Sequence, residues 1–193
     1  MFILYAVLAG LLLGLLLGGR LTGVGRIPFR WSGVMLGGLL AQVVLFSDPV
    51  AASIGSLGPP LYVASTVAVL VAVTRNLAIG GIPLVVAGAA CNLAAIVANG
   101  GYMPARPEAL ASLGRSVGSS YSNSAVIAEP AVAPLTDILA MPQGLPFANV
   151  FSVGDVIIGA GVMVVIVGAM LREARSEVPD PWTVDCRQLP PPS

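Results

Sequence analysis

The sequence predicts an all-α protein, a polytopic transmembrane helical bundle of about five spans with a partly ordered outer loop. Of its 193 residues, 56% are hydrophobic and only 9% are charged, whereas an average soluble domain carries about 25% charged residues. The apolar residues form five long runs, separated by turn-forming or charged residues. Water cannot solvate a surface with so few charges, so lipid is expected to be the solvent for much of it.

The first predicted span covers residues 2–19, which are apolar without interruption. A helix of about 18 residues extends ~27 Å, close to the thickness of the hydrocarbon core. A cleaved signal peptide is the alternative, but it would carry positive charge before its apolar run. Here Arg20, Arg26 and Arg30 follow the run. The sequence therefore predicts a retained first helix whose N-terminus lies outside the membrane.

The other four spans are bounded by turn residues or by charge. They are predicted over residues 31–47, 60–79, 82–98 and 151–171. The end of the third span is ambiguous, because the helix either stops at Thr74 or continues to Ile79 with Arg75 reaching the interface. We prefer the longer helix, with the glycines at 80 and 81 as its stop.

Residues 99–150 form the outer loop of this arrangement. Residues 107–114 are predicted to be a short helix, with Pro and Glu at its start and Gly past its end. Residues 125–142 are moderately apolar but too interrupted by proline and acidic residues to span, and partial re-entry into the membrane stays open. The bundle at 1–172 is one domain, and the Pro-rich tail at 173–193 is predicted to be cytoplasmic and disordered.

The arginines predict the orientation, because Lys and Arg accumulate on the cytoplasmic side of a membrane. With the N-terminus outside and five spans, the outer segments hold only Arg106 and Arg115. The inner segments hold Arg20, Arg26, Arg30, Arg75, Arg172, Arg175 and Arg187. The C-terminus is therefore expected in the cytoplasm.

The composition excludes several function classes. Net charge is zero and there is no Lys or His, so neither a nucleic-acid surface nor a His-based metal or catalytic site is expected. Cys91 lies in an apolar run and Cys186 in the tail, and two thiols alone make a poor zinc site. The sequence has no nucleophile-elbow or phosphate-loop motif. We predict no metal and no cofactor, and the sequence favours a protein that is not an enzyme.

Small residues at four-residue spacing mark candidate helix-packing faces. The positions are Gly10, Gly14 and Gly18 in the first span and Gly33 and Gly37 in the second. Small residues on one face let two backbones approach closely in lipid. The preferred interpretation is packing within this chain, with the two faces as possible partners. Homo-oligomerisation or docking to another subunit is the alternative.

Ser152 and Asp155 open the fifth span in the pattern of a capping box, in which Ser accepts from a backbone N–H and the acid reaches back. A structural cap is the preferred role for this pair. An intramembrane carboxylate that binds an ion or ligand is the alternative role for Asp155.

Asn92 is the clearest polar residue at membrane depth, and its amide needs hydrogen-bond partners there. Hydrogen bonding between helices is the default interpretation, and contact with a ligand is the more specific alternative. The candidate ligand-binding set is Asn92, Asn99, Asp137 and Asp155. A weaker hypothesis gathers the outer carboxylates near Asp155 as a divalent-cation site; these are Asp48, Glu108, Glu129 and Asp137.

Three pieces of sequence resemble the bacterial DUF5317 membrane proteins over roughly residues 1–172. They are Asn-Gly-Gly-Tyr-Met-Pro at 99–104, Thr-Asp-Ile at 136–138 and Leu-Pro-Phe-Ala-Asn-Val-Phe-Ser-Val-Gly-Asp-Val at 145–156. The family has no assigned function, so the resemblance implies a bacterial cytoplasmic membrane but no activity or ligand. Two of the pieces lie where the chain leaves the fourth span and enters the fifth, and we expect an ordered outer cap there.

Three functions are open at this point. The leading hypothesis is a small subunit or scaffold of a membrane complex, supported by the small-residue faces and the missing catalytic motifs. The alternative is a small-molecule or ion transporter or binding protein that uses Asn92 and Asp155. A membrane enzyme acting on lipid comes third. The expected partners are the lipid bilayer and a second copy or larger membrane complex.

Overall fold

The computed structural model describes residues 2–114 and 124–176, and this part of the chain is mostly helical. Its helices are α1 (Phe2–Leu16), α2 (Thr22–Gly25), α3 (Ser32–Leu45), α4 (Asp48–Ser53), α5 (Gly58–Thr74), α6 (Ile82–Ala98), α7 (Pro107–Ala111) and α8 (Val153–Ser176), with 3₁₀ turns at Gly55–Leu57 and Ala133–Leu135. Two helical stretches, Gly55–Thr74 and Val153–Ser176, are long and apolar enough to cross a membrane. Helices α1, α3 and α6 are apolar but shorter.

The five long helices form a curved row in the order α1, α8, α6, α5, α3. Helix α8 lies between α1 and α6, so the long helix that comes last in the sequence is inside the row and not at its end. Gly10 packs against Met163 and Ile166, and Phe2 stacks on Phe151 at 4.5 Å between ring centroids. These contacts make α1 and α8 parallel, while consecutive long helices run in alternating directions.

The third predicted span, at 60–79, corresponds to α5, and its end is corrected because the helix stops earlier. Helix α5 ends at Thr74. The side-chain amide of Asn76 donates to the carbonyl of Ala72 at 3.0 Å and to that of Arg30 at 3.0 Å, and its oxygen accepts from the Arg30 N–H at 2.7 Å. Asn76 thus caps the helix and holds the start of α3, so the backbone turns here. Arg75 lies over the ring of Trp31, with 4.8 Å between the guanidinium carbon and the ring centroid.

The segment between α6 and α8 contains short paired strands. Strand β1 (Met103–Pro104) pairs in parallel with β2 (Ser124–Ala125), and β3 (Leu139–Ala140) pairs antiparallel with β4 (Val150–Phe151). Within the described part of residues 125–142 the chain forms strands and a 3₁₀ turn instead of a long helix. Arg115, Cys186, Arg187 and the tail from 177 onward, for which we made predictions, lie outside the described residues.

Polar contacts join the helices at the end opposite this segment. The backbone N–H of Arg20 donates to the carbonyl of Met170 at 3.0 Å, and Arg26 forms an ion pair with the buried carboxylate of Glu173. Arg30 and Arg75 meet the Asn76 turn and Trp31 at the same end. The bundle therefore has one arginine-rich end and one end that carries the strands.

Candidate functional site

The N-terminus of α8 is closed by a reciprocal cap. The backbone N–H of Asp155 donates to Ser152 Oγ at 3.0 Å, and the backbone N–H of Ser152 donates to Asp155 Oδ2 at 3.1 Å. Ser152 is fully buried. Both bonds use groups that would otherwise lack partners at a helix start, so the cap fixes the Asp155 carboxylate in position.

Asn92 joins this cap to α6. Its Nδ2 donates to Asp155 Oδ1 at 2.8 Å, and its Oδ1 accepts from Ser152 Oγ at 2.7 Å. The three side chains form a closed hydrogen-bonded ring between two helices. Asn92 therefore links α6 to α8 by hydrogen bonds, as its default interpretation expects, and one of these bonds holds an oxygen of Asp155.

Glycines allow α6 and α8 to come close enough for this ring. A methyl group at Gly154 would lie 2.8 Å from the Asn92 Cγ and 2.8 Å from the Gly88 carbonyl oxygen. Gly88 in turn faces the Gly154 carbonyl and Ile158. Gly88 thus lets α8 approach α6 closely, and the site geometry depends on two residues without side chains.

A second carboxylate reaches the same end of the bundle through the outer segment. Asp137 lies beside Ala105 in an isolated parallel bridge. Its N–H donates to the Pro104 carbonyl at 2.9 Å, and its carbonyl accepts from the Arg106 N–H at 3.0 Å. These backbone bonds position Asp137 above the helices, and the residue is only 6% exposed.

Asp137 and Asp155 line one cavity of about 400 Å³, with residues from all five long helices around it. Its polar residues lie toward the strand-bearing end and are Gln42, Tyr62, Thr66, Asn92, Ser124, Asp137, Asn149 and Asp155. Most of the remaining lining is aliphatic and includes Leu39, Val69, Leu70, Val73, Val85 and Ile158. A cavity of this size with a few convergent polar groups is typical of a small-molecule site.

The two carboxylates differ in their surroundings. Within the described residues no group donates a hydrogen bond to the Asp137 carboxylate, whereas both oxygens of Asp155 accept one. Burial, and secondarily the charge of Asp155, raises the pKa of Asp137 to about 7. Asp137 is therefore a buried acid that can gain or lose a proton near neutral pH.

Of the four candidate ligand residues, the cavity includes Asn92, Asp137 and Asp155 but not Asn99. The Asn99 amide donates to Ala131 O at 3.0 Å and accepts from Ala131 N at 2.9 Å, so it tethers the outer segment to the end of α6. Glu129, Glu108 and Asp48 are exposed, and no group of three potential metal ligands occurs in the described chain.

The glycine faces also differ from the prediction. Gly10 and Gly14 face α8, through Met163, Ile166 and Met170. Gly18 lies past the end of α1 with φ of +81°, and a methyl group there would meet no described atom within 4 Å. The same holds at Gly33 and Gly37, so this face of α3 does not pack against α1 in the described chain. The close contact on α3 is made instead by Gly38, against Val69 and Ser65.

Sequence reasoning missed five polar residues of the cavity, which are Gln42, Tyr62, Thr66, Ser124 and Asn149. Gln42 donates to Ser65 Oγ at 3.3 Å and to Thr66 Oγ1 at 3.2 Å, which links α3 to α5. A glutamine inside an apolar run was a usable signal, since its amide needs partners in lipid. Tyr62 and Asn149 give no such signal, because both lie near the predicted membrane–water interface, where polar and aromatic residues are common.

Comparison with protein-family models finds a match. The family model described as "Family of unknown function (DUF5317)" matches residues 26–167. Comparison with curated proteins and with solved structures finds no match. The matched range leaves out α1, which we had included in the resemblance, but contains the whole Ser152–Asn92–Asp155 ring and Asp137. Because the match covers most of the chain, the resemblance drawn from the sequence motifs is confirmed, and this chain belongs to the DUF5317 family.

Proposed function

We propose that this chain is a multi-pass protein of the bacterial cytoplasmic membrane that binds a small molecule in the cavity between its five long helices. The observation that carries the proposal is the cavity itself, which has aliphatic walls and two carboxylates at one end. The Asp137 carboxylate accepts no hydrogen bond from a described residue and opens into this cavity, so a molecule bound in the cavity can supply its partner, which a scaffold function would not require.

The five-span arrangement is part of this proposal. Its support is the alternating direction of the five long helices and the exposure of large apolar side chains on α1 and α3, such as Leu16 at 83% and Leu36 at 68%. Such faces are stable in lipid and unstable in water. The arginine-rich end would face the cytoplasm together with the tail, which starts after Ser176 and not at 173 because α8 continues to that residue. The N-terminus and the strand-bearing end would face outside.

The structure weakens the argument for our leading hypothesis, a subunit or scaffold. Gly10 and Gly14, which supported it, contact α8 of the same chain. One observation still favours a subunit as the second candidate function. Gly33 and Gly37 lie on α3 at the end of the row and face no described atom within 4 Å, which leaves room for a helix from a second copy or another membrane protein.

Native purification tests the binding proposal. The protein is extracted in a mild neutral detergent, and bound small molecules are identified by mass spectrometry. Ala89 lines the cavity, so Ala89→Phe should fill it and remove the bound molecule. Ala94 lies on the same helix, is exposed and does not line the cavity, so Ala94→Phe is the matched control and should retain the molecule.

Each other outcome has a distinct meaning. Equal recovery of the molecule from both variants would contradict binding in this cavity. A co-purifying protein lost from a Gly37→Leu variant, with no small molecule in any preparation, would support the subunit function instead. A bound lipid product that accumulates only with added lipid substrate would support the enzyme hypothesis.

A further inference from the structure

We infer that the cavity takes an organic cation with an apolar tail, an alkylammonium-type amphiphile whose charged group lies between Asp137 and Asp155. The inference rests on the proposed function and adds the chemical class of the ligand. It follows from the charge of the lining, the lack of a partner for Asp137 and the shape of the walls.

Among the described residues that line the cavity, the only charged side chains are the carboxylates of Asp137 and Asp155. The chain has no Lys or His at all. Arg106, which is next to Asp137 in the bridge, is exposed and lines a different depression together with Glu108. A phosphate or carboxylate head group would meet repulsion here and no basic partner, so an anionic ligand is excluded.

Asp137 supplies the second and independent observation. It is 94% buried, it lines the cavity, and no described group donates a hydrogen bond to its carboxylate. The oxygens of Asp155, by contrast, each accept a bond from Asn92 or Ser152. A carboxylate that opens into the cavity and accepts no hydrogen bond from a described residue favours a ligand that brings positive charge and N–H donors to it.

The aliphatic walls indicate the rest of the ligand. A bare metal ion would use only the polar end, where the described residues hold no group of three His, Cys, Asp or Glu ligands, and it would leave the walls at Leu39, Val69 and Ile158 without contact. The walls suit a hydrocarbon chain that continues from the charged group toward the membrane centre. A transmembrane helix about 30 Å long and about 10 Å wide occupies roughly 2,000 Å³. The cavity of about 400 Å³ is too small for it.

Binding of three matched probes tests the ligand class. Dodecylammonium, dodecanol and dodecanoate share one chain and differ in head-group charge. Each is titrated by calorimetry at pH 8, where Asp137 is ionised, onto protein in phosphatidylcholine nanodiscs, with empty nanodiscs subtracted. Dodecylammonium should bind about tenfold or more tightly than either other probe.

Two variants make the test specific to the site. Asp137→Asn keeps the shape of the side chain and removes its charge, so the preference for dodecylammonium over dodecanol should fall about tenfold. Glu129→Gln removes an exposed carboxylate outside the cavity and should leave the preference unchanged. Folding of both variants is checked by helical circular dichroism and by elution as a single species.

The outcomes separate this inference from the proposed function. Dodecanol or dodecanoate binding as tightly as dodecylammonium, in a manner that Ala89→Phe abolishes, would overturn the cation and keep the cavity as a binding site. An unchanged preference in a folded Asp137→Asn would also overturn the inference. If no probe binds above the nanodisc background and no molecule co-purifies, both the inference and the proposed function fail.

Discussion

Replacing Gly154 by alanine tests whether the close approach of α6 and α8 holds the site together. The added methyl group would lie 2.8 Å from Asn92 Cγ and 2.8 Å from the Gly88 carbonyl oxygen. The carbonyl belongs to helical backbone and cannot rotate away, so the helices must separate or Asn92 must leave its place. Either movement breaks the ring that Asn92 forms with Ser152 and Asp155.

The size of the effect follows from three contributions. Overpacking costs about 1–3 kcal/mol, and two lost interhelical hydrogen bonds cost about 0.6 kcal/mol each in membrane proteins. Alanine gains about 1 kcal/mol over glycine inside a helix. The net loss for Gly154→Ala is therefore about 1–3 kcal/mol, or a melting temperature lower by roughly 2–12 °C.

The matched control is Gly37→Ala in α3. A methyl group there meets no described atom within 4 Å, so the helix gains propensity without a clash, and stability should rise by up to about 1 kcal/mol. Both variants are compared with wild type by thermal unfolding in the same bicelles. Equal stabilisation by the two substitutions would refute the close approach of α6 and α8 at this position.

The remaining predictions concern pH, the Asn76 turn and the orientation. Because Asp137 has a pKa of about 7 instead of its ordinary 3.8, the folded state keeps a proton that the unfolded state loses above about pH 4. Stability should therefore be greatest below pH 4, fall by up to about 4 kcal/mol between about pH 4 and 7, and level off above pH 7. Thermal unfolding between pH 4 and 8 measures this fall, and a folded Asp137→Asn that keeps the same slope would count against it. Asn76→Leu removes three hydrogen bonds and should cost about 1–3 kcal/mol in the same assay; a loss below the error of the measurement would mean that the turn does not depend on the amide. In a background without native cysteines, an impermeant thiol reagent should label Glu129→Cys but not Gly25→Cys in intact cells, and the reverse pattern would invert the proposed orientation.

The sequence located the long helices well because continuous apolar runs predict a helix without any knowledge of its neighbours. The cap at Ser152 and Asp155 is equally local, since its partners are three residues apart. Helix faces were harder to predict. A helix that is apolar all round gives no sign of which side meets a neighbour, and so Gly33 and Gly37 were chosen where Gly38 makes the contact.

The remaining errors concern contacts between distant residues. The end of α5 depends on Asn76 bonding to Arg30, 46 positions away, and no local pattern records that. Asp137 was named among the candidate ligands, but the sequence could not show that a bridge to Ala105 places it over the cavity. Asn99 was also named among the candidate ligands, but its side chain is hydrogen-bonded to Ala131.

The position of α8 between α1 and α6 has a consequence for biosynthesis. Helix α1 is synthesised early, yet its packing partner begins at Val153. At about 5–20 residues per second, synthesis of the intervening chain takes roughly 7 to 27 seconds. During that interval α3, α5 and α6 can pack against one another, but the face of α1 that carries Gly10 and Gly14 still lacks α8. A ribosome stalled before residue 151 would therefore leave α1 without the helix that joins it to the rest of the row.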